Sequence, residues 1–535
     1  MSRFLLLSED GSCLGLALRL QAEGHSVKMW IRDPRYKDVG KGLVDCDCSY
    51  EFGQIIVPEC VGFGVLCDVW RDSGIRVFAG SSFADSLEGD RELSEGVMHD
   101  CGIETPKSGR ATTWEEAAKL VQRFSKQSAD GKVVIKPEGR LSGIIPSYVA
   151  ASVEDAIGML ENFEKETGST EPELVIQQFV KGVAVSTEGW FDGENWLESM
   201  FNHTLETKKT LNDDLGPSEG CAGNIVWSCD SDDPIVKQSL LKLTDTLREA
   251  RYVGPFDINC VVNEEGLYAL EFTPRFGYDA FPTLLCSLCD FDFGSFIDLS
   301  CHGQSGNQHL GEGFGAGVRL TVPLDEDHQG TTQVRGFSPE ELQWFYPYHL
   351  GFTEQNGLES IKKGNMLGVV TGLGETIGEA FARAYLLCSK TQIRDVQFRS
   401  DLAETCLSDY VKLREYLFEE EPGWIGVDLD GTLAKYSGWS DEVGEPIPKM
   451  IARVRSWIAQ GHDVRILTAR GSQDPGKYEQ LVKVHDWVKK HIGVGLEVTH
   501  KKNPEMIRLY DDRVRQVRPN TGELVTEGSR SSVGI

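Results

Sequence analysis

The sequence predicts a multidomain α/β protein, and three stretches carry most of this prediction. Residues 3–30 alternate strand, helix and strand patterns, which is how a βαβ unit begins. Residues 254–277 combine two β-rich runs around a short polar turn, which is typical of an antiparallel hairpin. Residues 424–428 form an apolar strand that ends in an acidic group, late enough in the chain to begin a separate α/β domain.

Composition limits the classes of partner. The 535 residues are enough for about three to five domains. A formal net charge of −29 argues against general affinity for nucleic acid or anionic membranes, so we expect neither as a partner. The 14 cysteines lack the paired spacing of zinc ligands and predict reduced thiols. Because no apolar run reaches membrane-spanning length, we expect a cytoplasmic protein.

The N-terminal 108 residues predict a βαβ domain. Residues 3–7 and 26–30 are strand runs, and residues 13–21 between them have helical spacing. Further strand runs follow at residues 55–57 and 77–78. These segments predict a parallel sheet with helices packed on it.

The hairpin at residues 254–277 carries a group of oxygen-bearing side chains. Alternation along each strand predicts two sets on a common face: Asp257, Asn259 and Val261, and Ala269, Glu271 and Thr273. A three-residue turn would place Asn259 opposite Glu271 and Asp257 opposite Thr273. Such oxygens are ligands for Mg²⁺, and the following Arg275 suits a phosphate. A plain hairpin with one carboxylate facing solvent is the alternative.

The run Glu-Phe-Thr-Pro-Arg-Phe-Gly, residues 271–277, resembles the ATP-grasp motif of phosphoribosylamine–glycine ligases, usually Glu-Phe-Asn-x-Arg-Phe-Gly. Thr273 stands where that family has Asn. The resemblance implies that the chain uses ATP and Mg²⁺ (or Mn²⁺) and that Arg275 is catalytic. The metal ligands that it implies are Asn259, Glu271 and Thr273.

Other segments match the same family in order and spacing, and they imply where the nucleotide binds. Lys136 ends a buried apolar strand, where its charge needs a counter-charge such as a phosphate. Arg91, on a helix predicted to begin at Leu87, is either a phosphate contact or a solvated charge. Glu188 is either a ribose contact or a plain strand carboxylate. The implied nucleotide-binding residues are Arg91, Lys136, Gln177, Phe179, Val180, Glu188 and Lys209.

Two loops belong to the same resemblance. Residues 139–143 correspond to the lid loop over the phosphates, with fewer glycines than the family has. Residues 215–224 are rich in small side chains and predict a loop that lets the backbone approach a substrate closely. An ordinary surface loop is the other interpretation of that second segment.

The resemblance extends over roughly the first 415 residues and implies an ATP-grasp fold preceded by a Rossmann-like domain. The implied domains are residues 1–108, the ATP-grasp domain at 109–310 with its lid at about 115–190, and a ligase-type C-terminal domain at 311–415.

The activity implied is that of an ATP-dependent carboxylate–amine ligase that forms a C–N bond in purine biosynthesis. In the family, ATP phosphorylates a carboxylate and an amine attacks the acyl phosphate. The expected substrates are ATP, an amino acid such as glycine, and an amine, for which phosphoribosylamine is one candidate. The family's glycine-rich loop for the sugar phosphate is replaced by Asp10–Gly15, so another pair of amino acid and amine stays open. A nucleotide-binding half without catalysis is a further alternative.

A second chemical signal follows the acidic Pro-Gly linker predicted at residues 415–423. Asp428 and Asp430, in Asp-Leu-Asp-Gly-Thr, directly follow a buried strand. A carboxylate at a strand end can attack phosphorus, and a carboxyl group two residues on can protonate the leaving oxygen. Gly431, directly after Asp430, allows a sharp turn.

This motif, with three later segments in order, resembles the haloacid dehalogenase-superfamily phosphatases. The resemblance implies a three-layer α/β domain at residues 424–535 with a Mg²⁺-dependent phosphatase activity. The implied catalytic residues are Asp428, Asp430, Thr468 and Lys502. The implied metal ligands are Asp428, Asp430, Asp511 and Asp512. The short interval from Thr432 to Val464 predicts an open site without a large cap.

Overall fold

The computed structural model describes residues 1–46, 53–128, 130–138, 147–169, 171–304, 308–323, 331–361, 365–418, 423–472 and 474–514. The chain forms two compact units, Met1–Glu420 and Glu421–Ile535. The predicted lid loop at residues 139–143 and residues 419–422 of the predicted linker lie outside the described residues. None of the described helices is both long and apolar enough to cross a membrane.

The first unit opens with a parallel three-stranded sheet in the order β2-β1-β3. Its elements are β1 (Arg3–Ser8), α1 (Leu14–Ala22), β2 (Ser26–Ile31), β3 (Ile55–Pro58), α2 (Gly64–Asp72), α3 (Ser82–Gly89) and α4 (Arg91–Asp100). The four leucine and phenylalanine side chains of β1 are buried, which explains why this strand lies in the centre. The predicted βαβ opening is therefore confirmed.

The start of the helix that carries Arg91 differs from the prediction. Leu87 lies in α3, which ends at Gly89, and α4 begins at Arg91 itself. The Asp90 side chain accepts hydrogen bonds from the backbone N–H groups of Glu92 and Leu93, at 3.0 and 3.1 Å. This N-cap satisfies two donors of the first turn, and it interrupts what the sequence pattern suggested was one helix.

A separate antiparallel sheet in the order β4-β7-β5-β6 follows. Its elements are β4 (Ser108–Ala111), α5 (Trp114–Ser125), β5 (Val133–Pro137), β6 (Tyr148–Ala150), α6 (Val153–Thr167) and β7 (Leu174–Gln178). Apolar side chains of α5 and α6, including Val121, Phe124 and Leu160, pack on Ile135 and Ile176 of the sheet. This small core holds β5, and with it Lys136, in place.

The largest sheet has eight strands in the order β12-β11-β8-β9-β10-β13-β17-β14. Its elements begin with β8 (Val183–Asp192), β9 (Phe201–Leu211), β10 (Leu215–Cys229), α7 (Pro234–Gln238), α8 (Thr244–Glu249), β11 (Val253–Asn263), β12 (Gly266–Thr273), α9 (Ala280–Ser287) and α10 (Phe293–Ser300). They continue with β13 (Phe314–Thr321), β14 (Phe345–Pro347), β17 (Met366–Gly374), α11 (Ile377–Lys390) and α12 (Leu402–Phe418). Strands β15 (Leu350–Thr353) and β16 (Gly357–Ser360) form a separate two-stranded sheet. The sheet runs across the boundary expected at residues 310 and 311, because β10 pairs with β13.

The segment at residues 215–224, predicted as a loop, is the first part of strand β10. It pairs with β9 through two register irregularities, between Leu215 and Ser218 and between Ser218 and Gly223. Gly216 and Gly220 have positive φ angles of 75° and 70°, which glycine tolerates without a steric penalty. The small residues therefore serve a bulged strand, and the loop prediction is wrong.

The second unit contains a parallel four-stranded sheet in the order β20-β19-β18-β21. Its elements are β18 (Trp424–Asp428), α13 (Pro448–Ala459), β19 (Asp463–Leu467), α14 (Tyr478–Ile492), β20 (Val498–Thr499) and β21 (Met506–Tyr510). Val427, Val454, Ile466 and Val488 are buried in its core. The carboxyl ends of β18, β19 and β21 meet at one edge, which brings their following residues together.

Candidate functional sites

The hairpin of β11 and β12 brings together the oxygen-bearing side chains that the sequence predicted. Asn259 pairs with Glu271 and Asp257 pairs with Thr273. The Asn259 amide donates to the Thr273 hydroxyl at 3.1 Å and approaches an Asp257 oxygen at 3.4 Å. Both contacts use the amide nitrogen, which leaves the amide oxygen as the atom that can bind a cation.

The turn of this hairpin differs from the prediction. Asn263 pairs with Gly266, which makes a two-residue turn, and Cys260 pairs with Ala269. Leu270 of β12 has no paired residue in β11. This one-residue bulge restores the predicted pairing of Glu271 with Asn259. Ala269 consequently faces the side of Cys260, opposite to Glu271, and the prediction that they share a face is wrong.

Two buried carboxyl groups lie behind this patch. Glu188 of β8 pairs in register with Asp257 of β11. Burial raises the pKa of Asp257 to about 7, while a hydrogen bond from the Ser186 hydroxyl opposes the shift. Burial, then the neighbouring Asp257 carboxylate, raise the pKa of Glu188 well above its usual value. Two like charges are unfavourable there, so a cation or a hydrogen-bond donor at this place would favour the ionised form of both groups.

A cavity of about 100 Å³ lies next to the patch, and five of the predicted residues line it: Arg91, Lys136, Glu271, Thr273 and Arg275. Burial lowers the pKa of Lys136, and the Arg91 guanidinium lowers it further. Among the residues that the structure describes, neither Arg91 nor Lys136 has an ion-pair partner. Glu88, Glu95 and Glu271 also line the cavity, so cations and carboxylates face it together. The two cations, Arg91 and Lys136, can bind an anion such as a phosphate, and a carboxylate can hold its counter-ion.

Arg275 is held at the rim of this cavity. It pairs with Glu88 at 3.0 Å, and its guanidinium lies 4.2 Å from the centre of the Tyr278 ring. Its side chain is only 13% exposed. The ion pair and the ring fix the orientation of the guanidinium before any ligand binds.

The other predicted nucleotide contacts lie elsewhere. Gln177, Phe179, Val180, Glu188 and Lys209 are not among the described residues that line the cavity. The Phe179 N–H, expected to bind a purine edge, donates to the Ser128 hydroxyl at 3.1 Å. The Lys209 ammonium donates to the Gly216 carbonyl at 3.2 Å. These roles stay predictions.

Comparisons with known proteins agree with this geometry. Residues 89–280 match the family model of the phosphoribosylglycinamide synthetase ATP-grasp (A) domain. The first unit has an ATP-grasp fold. The matched segment begins at residue 89 and ends at residue 280, whereas the sequence predicted a domain at 109–310. It therefore includes α4 and Arg91.

Relatives with the same domain are distant in sequence. The chain is 24% identical over 363 residues to a phosphoribosylamine–glycine ligase of Caldanaerobacter subterraneus, covering 65% of this chain and 84% of the relative. It is 24% identical over 394 residues to that of Mesorhizobium japonicum, covering 71% and 88%. The structure of the Thermotoga maritima phosphoribosylamine–glycine ligase aligns with a TM-score of 0.58 at 20% identity, over 75% of this chain and 99% of that one.

The donor set of the ATP-grasp unit fits a magnesium ion and nucleotide phosphates. Glu271 supplies a carboxylate and Asn259 an amide oxygen, which are the hard ligands that Mg²⁺ prefers. Thr273 accepts a hydrogen bond from Asn259, so in this structure it positions that amide. Sequence reasoning missed two features of this site: the raised pKa of Asp257 and the ion pair of Arg275 with Glu88. Both features depend on contacts in the folded protein that residue spacing does not reveal.

The turn after β1 in the ATP-grasp unit is acidic and already occupied by its own side chains. Asp10 accepts from the Ser12 N–H at 3.0 Å, and His349 lies 3.3 Å from its other oxygen. Glu59, at the end of β3, accepts from the Ser8 hydroxyl at 2.6 Å. Burial and the Asp10 carboxylate raise the pKa of Glu59 to about 7. A phosphate would meet these carboxylates at the crevice between β1 and β3, where ligands of parallel sheets bind.

The raised pKa of Glu59 predicts a pH-dependent stability. The folded protein binds the proton more tightly than the unfolded chain, so stability falls as pH rises from about 4.5 to about 7. Replacing Glu59 by Gln keeps an acceptor for Ser8 and removes this loss. We expect the variant to gain roughly 2 kcal/mol over the wild type between pH 5 and pH 8, measured by urea unfolding. Glu161→Gln, on the exposed face of α6, is the control and should change nothing.

In the second unit, three carboxylates from two strand ends converge. Oxygens of Asp428, Asp511 and Asp512 lie within 4.8 Å of one another. Burial, and then the carboxylates of Asp511 and Asp512, raise the pKa of Asp428 to about 7. This all-oxygen set of crowded like charges fits a divalent cation such as Mg²⁺, which would relieve the repulsion.

The turn between these acids requires glycine. Gly431 has φ of 104°, and a Cβ atom there would lie 2.6 Å from a carboxylate oxygen of Asp512. The Asp512 N–H donates to the Thr432 hydroxyl at 3.0 Å, which links the two strand ends directly. The predicted sharp turn at Gly431 therefore brings the first acidic segment against the last one.

Asp430 does not belong to the carboxylate group, contrary to its predicted metal role. Its two oxygens accept from Arg470 at 2.7 and 3.2 Å, and Arg470 is 1% exposed. To exchange a proton with a leaving group, Asp430 must first leave this ion pair. Arg470 was not predicted, because its partner lies 40 residues away in sequence.

The remaining predicted residues differ in placement. Thr468 is 4% exposed and its hydroxyl accepts from the Arg470 N–H at 3.2 Å, so it caps the turn at the end of β19. Lys502 is exposed to solvent. Its role as the site's cation stays a prediction, and Arg470 is the buried guanidinium that the structure places there instead.

Proposed function

We propose that the first unit is an ATP-dependent carboxylate–amine ligase, the activity carried by the names of its relatives. The observation that supports this most directly is the convergence of Arg91, Lys136, Glu271, Thr273 and Arg275 around one cavity. Two cations there can bind phosphate oxygens, and a carboxylate with an adjacent amide oxygen can hold a cation.

Each side chain then has a defined part in the reaction. Mg²⁺, held by Glu271 and Asn259, would neutralise phosphate charge. Lys136 and Arg91 would bind the transferring phosphoryl group from the other side of the cavity. Arg275, oriented by Glu88, would stabilise charge on the phosphorylated carboxylate.

The test is an assay of ADP release and amide formation by the full chain. With ATP, Mg²⁺, glycine and phosphoribosylamine, the proposal predicts ADP release that depends on both the amino acid and the amine. Amine-independent ATP hydrolysis would contradict it. Nucleotide binding without ADP release, for any amino acid offered, would instead support the catalytically reduced alternative.

The acidic turn at Asp10 favours a second version of this proposal. In this version the amine substrate has no phosphate group, so no phosphate has to bind in the crevice between β1 and β3. Asp10 and Glu59 lie there and would repel a phosphate. An amine panel with glycine as the fixed carboxylate separates the two versions. Higher kcat/KM for a phosphate-free amine than for phosphoribosylamine supports the second, and the reverse order supports the first.

We also propose a Mg²⁺-dependent phosphatase activity for the second unit. The group Asp428, Asp511 and Asp512 carries this proposal, because it joins a strand-end nucleophile to cation ligands. Asp428 would attack phosphorus to form an aspartyl phosphate as the bond from phosphorus to the leaving oxygen breaks. Asp430, once its pair with Arg470 has opened and it has taken a proton from solvent, would give that proton to the leaving oxygen, and the resulting carboxylate would then accept a proton from the water that hydrolyses the aspartyl phosphate and releases phosphate. Phosphate release from small phosphate monoesters, abolished by chelating Mg²⁺, is the expected result. Phosphate release that is unaffected by chelation would contradict it.

Fusion of the two units in one chain motivates one linked hypothesis, that the ligase product carries a phosphate which the second unit removes. A ligase product that the full chain leaves phosphorylated in the presence of Mg²⁺ would contradict it.

A further inference from the structure

A short segment of the second unit, here called the flap (residues 435–445), follows the turn at Gly431 and is flanked by Ala434, which forms bridges with Asp430 and Pro446. Its two ends pair with each other, since the Lys435 N–H donates to the Glu445 carbonyl at 2.8 Å. A Cβ atom on Gly444 would lie 1.9 Å from the Lys435 carbonyl oxygen, so only glycine permits this approach. The flap is therefore a closed hairpin of defined shape.

Contacts with α14 hold the flap in place. The Trp487 indole N–H donates to the Gly444 carbonyl at 2.9 Å. Gln480 donates to Asp441 at 2.8 Å, and Lys483 pairs with Glu442 at 2.8 Å. With three anchors on one helix, the side chains on the flap have fixed positions relative to the site.

Two aromatic side chains of the flap are exposed to solvent. Trp439 is 56% exposed and Tyr436 is 38% exposed. Leaving that much aromatic surface in water is unfavourable unless something covers it in the working state. Both rings are connected to the predicted catalytic and metal-binding residues through arginines.

Each ring rests on an arginine that is tied to the site. The Arg470 guanidinium lies 4.7 Å from the Trp439 ring centre and bonds to Asp430 and to the Ser440 carbonyl. The Arg513 guanidinium lies 5.3 Å from the Tyr436 ring centre, and the Arg513 N–H donates to Asp511 at 2.7 Å. One face of each ring is thus taken by a cation, and the outer face is available for stacking.

We propose that Trp439 and Tyr436 bind the base of a nucleoside monophosphate whose phosphate lies at Asp428, an inference that rests on the phosphatase proposal. Base stacking on an aromatic side chain tolerates any base, and an underlying guanidinium strengthens it. A single nucleotide fits better than a polynucleotide, because the carboxylate group and the net charge of −29 repel extended polyanions. The flap thereby selects the leaving group.

The first test compares substrates on the full chain with Mg²⁺. We expect kcat/KM for nucleoside 5′-monophosphates to exceed that for ribose 5-phosphate and glycerol 2-phosphate at least tenfold. Trp439→Ala should lower kcat/KM for the nucleotides roughly 10- to 100-fold, mainly through KM, and the loss should be at least fivefold larger than the loss for ribose 5-phosphate, which has no base to stack. Trp439→Phe should restore most of the loss. Val494→Ala, an exposed apolar residue beyond α14, is the matched control.

A second test separates failure of this inference from failure of the phosphatase proposal. Calorimetry measures the binding of uridine 5′-monophosphate to Asp428→Asn and to the double variant Asp428→Asn, Trp439→Ala. Neither variant should hydrolyse the nucleotide, and any binding to the first unit is the same in both, so the difference reports on Trp439 alone. We expect about tenfold weaker binding in the double variant. Equal affinity overturns the inference whether or not the wild type releases phosphate, as does equal kcat/KM for nucleotides and ribose 5-phosphate.

Discussion

Replacing Glu271 by Ala is expected to reduce ATP-dependent ligation by roughly 100- to 1,000-fold, because the change removes a carboxylate that faces the phosphate cavity. The effect should be on kcat, since the lost interaction stabilises phosphoryl transfer more than it binds the nucleotide. Phosphate release by the second unit should be unchanged. The measurement is ADP formation with saturating ATP and amino acid, alongside phosphate release from a monoester.

A matched control lies on the same hairpin. Glu264 is exposed in the turn between β11 and β12, seven residues before Glu271, and Glu264→Ala should leave ligation within twofold. Equal activity in Glu271→Ala and wild type would contradict the proposed metal ligand. Equal loss in both variants would mean that the hairpin, and not the Glu271 carboxylate, had been damaged.

The pairing of Asn259 with Glu271 was predictable because two independent features agree on it. The alternation of polar and apolar residues fixes which strand positions face each other, and the turn must lie within the polar residues 263–266. The bulge beside Leu270 was not predictable. The turn is one residue shorter than predicted, and the bulge adds one residue to β12. These two differences cancel, so Asn259 still pairs with Glu271.

Residues 215–224 show why the same reasoning failed elsewhere. Their glycines and small polar residues lack the alternation that identifies a strand, and they read as a loop. The segment is nevertheless a strand, because β9 pairs along it and β13 pairs with its last two residues, Gly223 and Asn224. Tertiary context of this kind outweighs local propensity, which is intrinsically weak for strands.

Residue roles were harder to predict than residue positions. The sequence placed Asp430 in the second site, yet its pairing with Arg470 depends on a side chain 40 residues away. Arg275 likewise took its orientation from Glu88, 187 residues away. Spacing within a motif predicts which side chains meet at a strand end. Their ion-pair partners are distant in sequence, and only the folded structure shows which residues these are.

Asp428→Asn is expected to abolish phosphate release, with a loss of at least about 1,000-fold, because an amide can neither attack phosphorus nor form an aspartyl phosphate. Ligation should be unaffected, which makes this variant the reciprocal of Glu271→Ala. The measurement is phosphate release from a monoester under saturating Mg²⁺, with ADP formation as the second readout.

The same variant tests the cation site without relying on turnover. Mg²⁺ should raise the unfolding temperature of the wild type, since it relieves the repulsion among Asp428, Asp511 and Asp512, and the shift should shrink in Asp428→Asn. Asp463→Asn, at the opposite end of the sheet, is the control and should keep both the shift and the activity. A wild-type shift that persists in Asp428→Asn would place the cation elsewhere, and the phosphatase proposal would lose the carboxylate group on which it depends.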